Sequence, residues 1–205
     1  METEKKEIEL KVRSSQACIR DGYQLYSTNF RKMFQATWWL AIGFAILQAV
    51  ASALPALFSP TLLLPALLLQ IVAIIAWLTL SNRQLKKRQL LQPLNPLGFR
   101  SWMLHLGKVF IVSITYLFII VILMLLTTLP MIILMVANLQ SQVGILNGDA
   151  AGMPDSIKWL SLVVFAAAGF IQAYIWLTII PPFYLLKASR ALQDKEKADF
   201  NNTTI

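Results

Sequence analysis

Cysteine and histidine are almost missing from this chain: Cys18 and His105 are the only ones in 205 residues. A single thiol excludes an intrachain disulfide, and a single imidazole excludes the common zinc ligand sets and most histidine-dependent triads. No Walker loop, zinc spacing or Gly-x-Ser-x-Gly elbow occurs. Charge is missing as well. No charged residue lies between Lys32 and Arg83, and no Asp, Glu, Lys or Arg falls in the interior of any long apolar run. Such intramembrane charges are the usual marks of proton or ion coupling.

What is present is apolar: 57% hydrophobic residues against 14% charged, with mean hydropathy +0.62. That composition describes an all-α integral membrane protein rather than a soluble domain. A helix crossing about 30 Å of hydrocarbon needs roughly 20 residues. The first charge-free stretch therefore holds two spans, 34–58 and 61–80, separated at Ser59 and Pro60. Two more are predicted at 107–138 and 157–186. The third exceeds a perpendicular crossing and calls for tilt, protrusion or a bend at Pro130; Pro181 and Pro182 predict a kink or local unwinding in the fourth. One membrane domain, 12–187, is expected between a soluble tail at 1–11 and a cytoplasmic tail at 188–205.

Sidedness follows from the cations. The loop from Ser81 to Arg100 carries Arg83, Lys86, Lys87, Arg88 and Arg100 with no acidic residue, which places it in the cytoplasm by the positive-inside bias. Both termini then lie on that side, with every basic residue except Lys158. The net charge of +8 is in that case a topology signal, and nucleic-acid binding loses its main support.

Segment 12–33 leads into the first span without a proline. Ile19, Tyr23, Tyr26, Phe30 and Met33 fall on one helical face, with Arg13, Arg20, Gln24 and Arg31 opposite and Lys32 following. Such a helix can lie among anionic lipid headgroups or pack on its own bundle. A second stripe, Phe99, Trp102, Leu106 and Val109, accompanies Lys108 before the third span. With Gly22 placed over Gly98, Tyr23 meets Phe99, Tyr26 meets Trp102, Lys32 meets Lys108, Phe34 meets Phe110 and Thr37 meets Ser113. Trp77, Leu78 and Thr79 recur as Trp176, Leu177 and Thr178. The predicted unit is an interfacial helix and two spans, repeated in parallel, giving two cytoplasmic-face amphipathic helices and four spans. Arg20, Tyr23, Tyr26, Phe30, Arg31, Lys32, Lys86, Lys87, Arg88, Phe99, Trp102 and Lys108 are the membrane-surface candidates.

Inside the spans, Gln48, Gln70 and Gln172 each sit near mid-membrane, where an amide needs a partner on another helix. Ala41, Ala45, Ala49 and Ala53 recur every fourth residue, and Gly169 and Ala173 offer a similar groove on the fourth span. These surfaces serve packing within the chain or a seam with a partner. No catalytic, cofactor-binding or metal-ligating set emerges; His105 reads as a headgroup-level side chain, and Asp149 and Asp155 as loop and cap residues. Cys18, near Arg20, could have a lowered thiol pKa or carry a palmitoyl chain.

The run GYQLYSTNFRKMF, followed by a Trp-rich span, resembles the starts of repeats in the membrane domain attached to some bacterial glycerophosphodiester phosphodiesterases and in related bacterial membrane proteins. The resemblance covers 22–58 and its weaker copy and carries over no catalytic residue, since the soluble phosphodiesterase domain is absent. It implies a bacterial cytoplasmic (inner) membrane location and a helper or scaffold role. The expected function is a non-enzymatic scaffold or accessory subunit, with lipid headgroups and a membrane-protein partner or second copy as partners. The alternative is a small transporter or channel subunit built from paired repeats. A membrane-embedded lipid enzyme would have to rest on His105.

Overall fold

Residues 13–55, 60–91, 106–148 and 155–203 are described by the structure, a computed structural model. Six helices account for nearly all of them, and no strand occurs among the described residues. They are α1 (Ser15–Thr28), α2 (Phe30–Ala53), α3 (Leu63–Lys87), α4 (Leu106–Leu146), α5 (Asp155–Leu177) and α6 (Ile180–Thr203). Four stretches are long and apolar enough to cross a membrane: α2, α3, α4, and Trp159–Glu196, which joins most of α5 to most of α6. The chain has the makings of a multi-pass membrane protein.

Each boundary has a local cause. Ser14 caps α1, its hydroxyl accepting from the Ala17 N–H at 3.2 Å. Asn29 interrupts the helix between α1 and α2, and its side-chain amide donates to the Leu25 carbonyl at 3.1 Å, tying the turn to the helix it ends. Pro65 stands in the first turn of α3, where its missing N–H would have had no helical partner. Gln89 ends the basic tip of α3 with a positive φ of 55°. Pro130 lies within α4, which runs through it.

The predicted fourth span, 157–186, is two helices. Its break falls at Thr178 and Ile179, whose N–H groups bond only three residues back, to the carbonyls of Ile175 and Trp176 at 3.2 Å each. Pro181 and Pro182 follow in the first turn of α6, where their missing donors cost least. Beyond 187, where a tail is expected, α6 continues as a helix to Thr203, and Ala188, Ser189 and Arg190 are buried. The physical reason is α1, which lies along α6. The Ser189 hydroxyl accepts from the Arg13 N–H at 2.7 Å and donates to the Arg13 carbonyl at 3.4 Å.

Packing centres on α2 and α5, which run side by side; α3 flanks α2, and α4 flanks α5 while also touching α1. The seam is built from small residues. Ala41, Ala45, Ala49 and Ala53 are all buried, as is Ala173, and Ala49 and Ala53 pack against Phe165. A Cβ on Gly169 would stand 3.0 Å from the Gln48 Cβ and 3.3 Å from the Ala45 Cα, so the two helices nearly touch there. The outer faces of α3 and α4 expose Leu67, Ile71, Ile75, Phe118, Leu125 and Ile133, among others, as lipid-facing spans do.

The second close approach lies outside the seam. A Cβ on Gly22 would meet Pro182 at 2.5 Å from its Cγ, 2.7 Å from its Cα and 2.8 Å from its N. A backbone cannot give way as a side-chain tip can, so Gly22→Ala is expected to lower stability by about 1–3 kcal/mol. Gly43 has nothing within 4 Å of its Cβ position, so Gly43→Ala should be neutral or slightly stabilising. Thermal melting of both variants in one detergent checks the pair; equal melting temperatures would contradict the packing account.

Candidate functional site at the basic end

One end of the bundle gathers α1, the start of α2, the tip of α3, the start of α4 and α6. Tyr174, near the end of α5, organises its interior. Its ring stacks on Phe34 at 5.2 Å between centroids and meets Phe170 at 5.4 Å, Phe30 at 5.8 Å and Trp77 at 6.3 Å edge-on. The N–H of Thr178 bonds to Ile175, which leaves the Tyr174 carbonyl without its usual helical donor. The Tyr26 hydroxyl supplies that donor at 3.0 Å. One residue earlier, the Ala173 carbonyl accepts from Trp77 Nε1 at 2.8 Å. The end of α5 is thereby held by α1 and α3 together.

The face of α1 differs from the one its large residues predict. Cys18, Gly22 and Tyr26 are the buried residues, whereas Tyr23 is 62% exposed. Gly22 sets this rotation, because only the glycine side lets Pro182 approach. Tyr26, a membrane-surface candidate by sequence, is therefore an interior hydrogen-bond donor, and burial pushes its phenol above the usual range and keeps it protonated. Phe30 is exposed at its edge while its ring meets Tyr26 and Tyr174. Arg20, Arg31, Lys32, Lys86, Lys87 and Arg88 are exposed, and Lys108 is half-buried. Phe99 and Trp102, together with His105, lie outside the described residues, as do the positions needed to test the second amphipathic stripe.

Electrostatics at this end centre on Asp21 and Cys18. Burial would raise the Asp21 carboxyl, but the Arg13 Nε at 3.0 Å and the Arg20 Nε at 3.2 Å more than offset it, and the carboxyl titrates below the ordinary carboxylate value. Cys18 is fully buried. Burial pushes its thiol upward, and Arg13, Lys108 and Arg190 only partly oppose this. The lowered pKa considered from sequence is overturned by that burial, and a palmitoyl chain requires an accessible thiol, whereas this one is enclosed.

At mid-membrane the glutamines face helices. Gln48 Nε2 donates to Gln172 Oε1 across the seam at 3.4 Å, and Gln70 Nε2 donates to the Ser52 hydroxyl at 3.4 Å. Sequence reasoning passed over Tyr174; its one signal was the four-residue spacing of Phe170 and Tyr174 opposite that of Tyr26, Phe30 and Phe34. Among the described residues no cluster of His, Cys, Asp and Glu could hold a metal ion. Compared with protein-family models, curated proteins and solved structures, the chain matches none.

Tyr26→Phe removes one hydroxyl from a buried carbonyl and should cost about 1–2 kcal/mol in detergent melting. An unchanged melting temperature would contradict the bond to the Tyr174 main-chain carbonyl. Asp21 has its pKa lowered by folding, so its contribution to stability is complete above the ordinary carboxylate pKa and is lost as pH falls through the folded value. Melting followed from pH 7 down to about 3 should show an acid-side loss near and below pH ~4 that Asp21→Asn diminishes.

Proposed function

We propose that this chain is a non-enzymatic membrane scaffold or accessory subunit that engages a larger membrane-protein complex in a bacterial cytoplasmic membrane, with its basic end facing the cytoplasm. One observation carries the reading: the length of α4. At 41 residues it is about 60 Å long, against about 35 Å for the 23-residue α5 beside it. A bilayer offers about 30 Å of hydrocarbon. Between Lys108 and the polar stretch Asn138 to Gln142 the helix is apolar from Val109 to Ala137, about 43 Å, and it buries one stripe, Val112, Tyr116 and Ile120 continuing toward Asn138. Phe110, Ile111 and Ile114 at one end, and Val143, Ile145 and Leu146 at the other, remain exposed. Held beside a helix of ordinary span length, so long an apolar stretch carries exposed side chains past the hydrocarbon unless it tilts. A partner helix can cover them.

The small-residue seams support the same reading by elimination. Ala41, Ala45, Ala49, Ala53, Gly169 and Ala173 are used between α2 and α5, so a partner would meet the outer face of α4 instead. On the membrane surface, α1 would present Arg20 and Tyr23 outward from a base fixed to α6. Under this reading the two parallel repeats of the sequence have diverged in use, the first forming the seam and the second supplying the partner face.

A photo-reactive residue placed at Phe110 or Phe118 in the full chain, expressed in its own membranes, should yield a discrete protein adduct. The same residue at Leu67 or Ile71 on α3 should yield none. Uniform absence of adducts, with recovery of a free monomer in detergent, would sink the proposal. The transporter or channel reading draws on one feature, the Gln48 Oε1, which is buried without a hydrogen-bond partner among the described residues. Solute flux in proteoliposomes that disappears in Gln48→Leu would favour that reading over the scaffold.

A further inference from the structure

A groove of about 340 Å³ opens between the last turns of α3 and the break that starts α6. Its two walls have one design. Leu78, Asn82 and Lys86 line it from α3, and Ile179, Phe183 and Lys187 line it from the other side. Each set is spaced by four residues, so each presents one side chain per turn on a single face. Each runs from an apolar residue at membrane depth to a lysine about 12 Å farther toward the basic end. Beside the groove, the Trp77 Nε1–H donates to the Ala173 carbonyl and ties α3 to the end of α5.

Two ammonium groups facing one cavity repel each other, and among the described residues no acidic side chain pairs with either. An anion between them removes the repulsion. A free soluble anion would leave Leu78, Ile179 and Phe183 facing water, so the occupant must be apolar at the membrane end. The volume sits near the lower bound for small-molecule pockets, roughly 300 Å³, enough for a phosphate headgroup with its glycerol and too little for two acyl chains. Those chains have a surface close by: Ile71, Val72, Ile75 and Leu80 of α3 are exposed.

We propose that this groove holds one anionic phospholipid, with its phosphate between Lys86 and Lys187, its glycerol against Asn82 and Phe183, and its chains along the outer face of α3. Basic pockets between membrane helices take anionic headgroups in this manner, by charge at the surface and apolar contact beneath it. The lipid fills the space between α3 and α6 and steadies the break at Thr178 and Ile179. The site is independent of any protein partner, because none of its walls belongs to α4.

The test uses the full chain in mild detergent and counts bound lipids by native mass spectrometry during titration with phosphatidylglycerol or phosphatidylcholine. Wild type should prefer phosphatidylglycerol and hold one copy most tightly. The double variant Lys86→Gln, Lys187→Gln should bind that copy roughly 30-fold more weakly, from two surface lysines acting together. The pair Arg83→Gln, Lys195→Gln, exposed cations outside the groove, should change it less than about threefold, since a diffuse field is screened. Millimolar inorganic phosphate should leave the lipid in place. No preference between the two lipids, equal loss in both double variants, or displacement by inorganic phosphate would each overturn the proposal. The first and third outcomes need only wild-type protein, so a misfolded variant cannot shelter it.

Discussion

In hydrocarbon, a backbone carbonyl without a donor costs several kcal/mol. The end of α5 is where this chain meets that demand in an unusual way. Pro181 and Pro182 stop the helix from continuing smoothly, the N–H groups at 178 and 179 turn back by three residues, and the Tyr174 carbonyl is left for another group to satisfy. Tyr26 from the first helix reaches in to do so, and Trp77 from the third adds a bond to the Ala173 carbonyl one residue earlier. The position of α1, the rotation of α3 and the aromatic cluster around Tyr174 all follow from where those carbonyls point. The broken helix thus acts as a socket.

The glycine opposite the break works with it. Gly22 lets α1 lie against Pro182 at backbone distance, which brings the Tyr26 hydroxyl to the Tyr174 carbonyl. A larger residue at 22 would lift α1 away and open both the hydrogen bond and the enclosure of Cys18. Within the membrane the same logic recurs at Gly169, where loss of a side chain brings Gln48 and Gln172 within bonding distance. Interhelical amide bonds of this kind contribute only about 0.6–2 kcal/mol each. Close packing along the whole seam therefore carries more of the stability than the polar pair.

Much of the fold was readable because bilayer physics imposes length and hydropathy on a span. The charge gap from Lys32 to Arg83 and the Pro60 break located two helices, and Pro181 and Pro182 located the interruption in the last. The alanine ladder named one face of the seam. What escaped was decided by partners distant in sequence. Residues 188–203 are polar enough to read as a tail, and they are helical against α1, 176 residues away at the Arg13 to Ser189 contact. The stripe from Ile19 to Met33 was judged by large side chains, yet the residue that sets the buried face has none. Lys86 and Lys187 looked like surface charge on separate segments; only the fold brings them to two walls of one groove.

The long reach between Arg13 and Ser189 has a consequence for how the protein is made. α1 leaves the ribosome well before α6, the surface it packs on. Until α6 follows, α1 has no base, and Cys18 lies open beside it. Enclosure of Cys18 therefore waits on α6. The docking of α1 is thus a late event, possible only after α5 and α6 have been made.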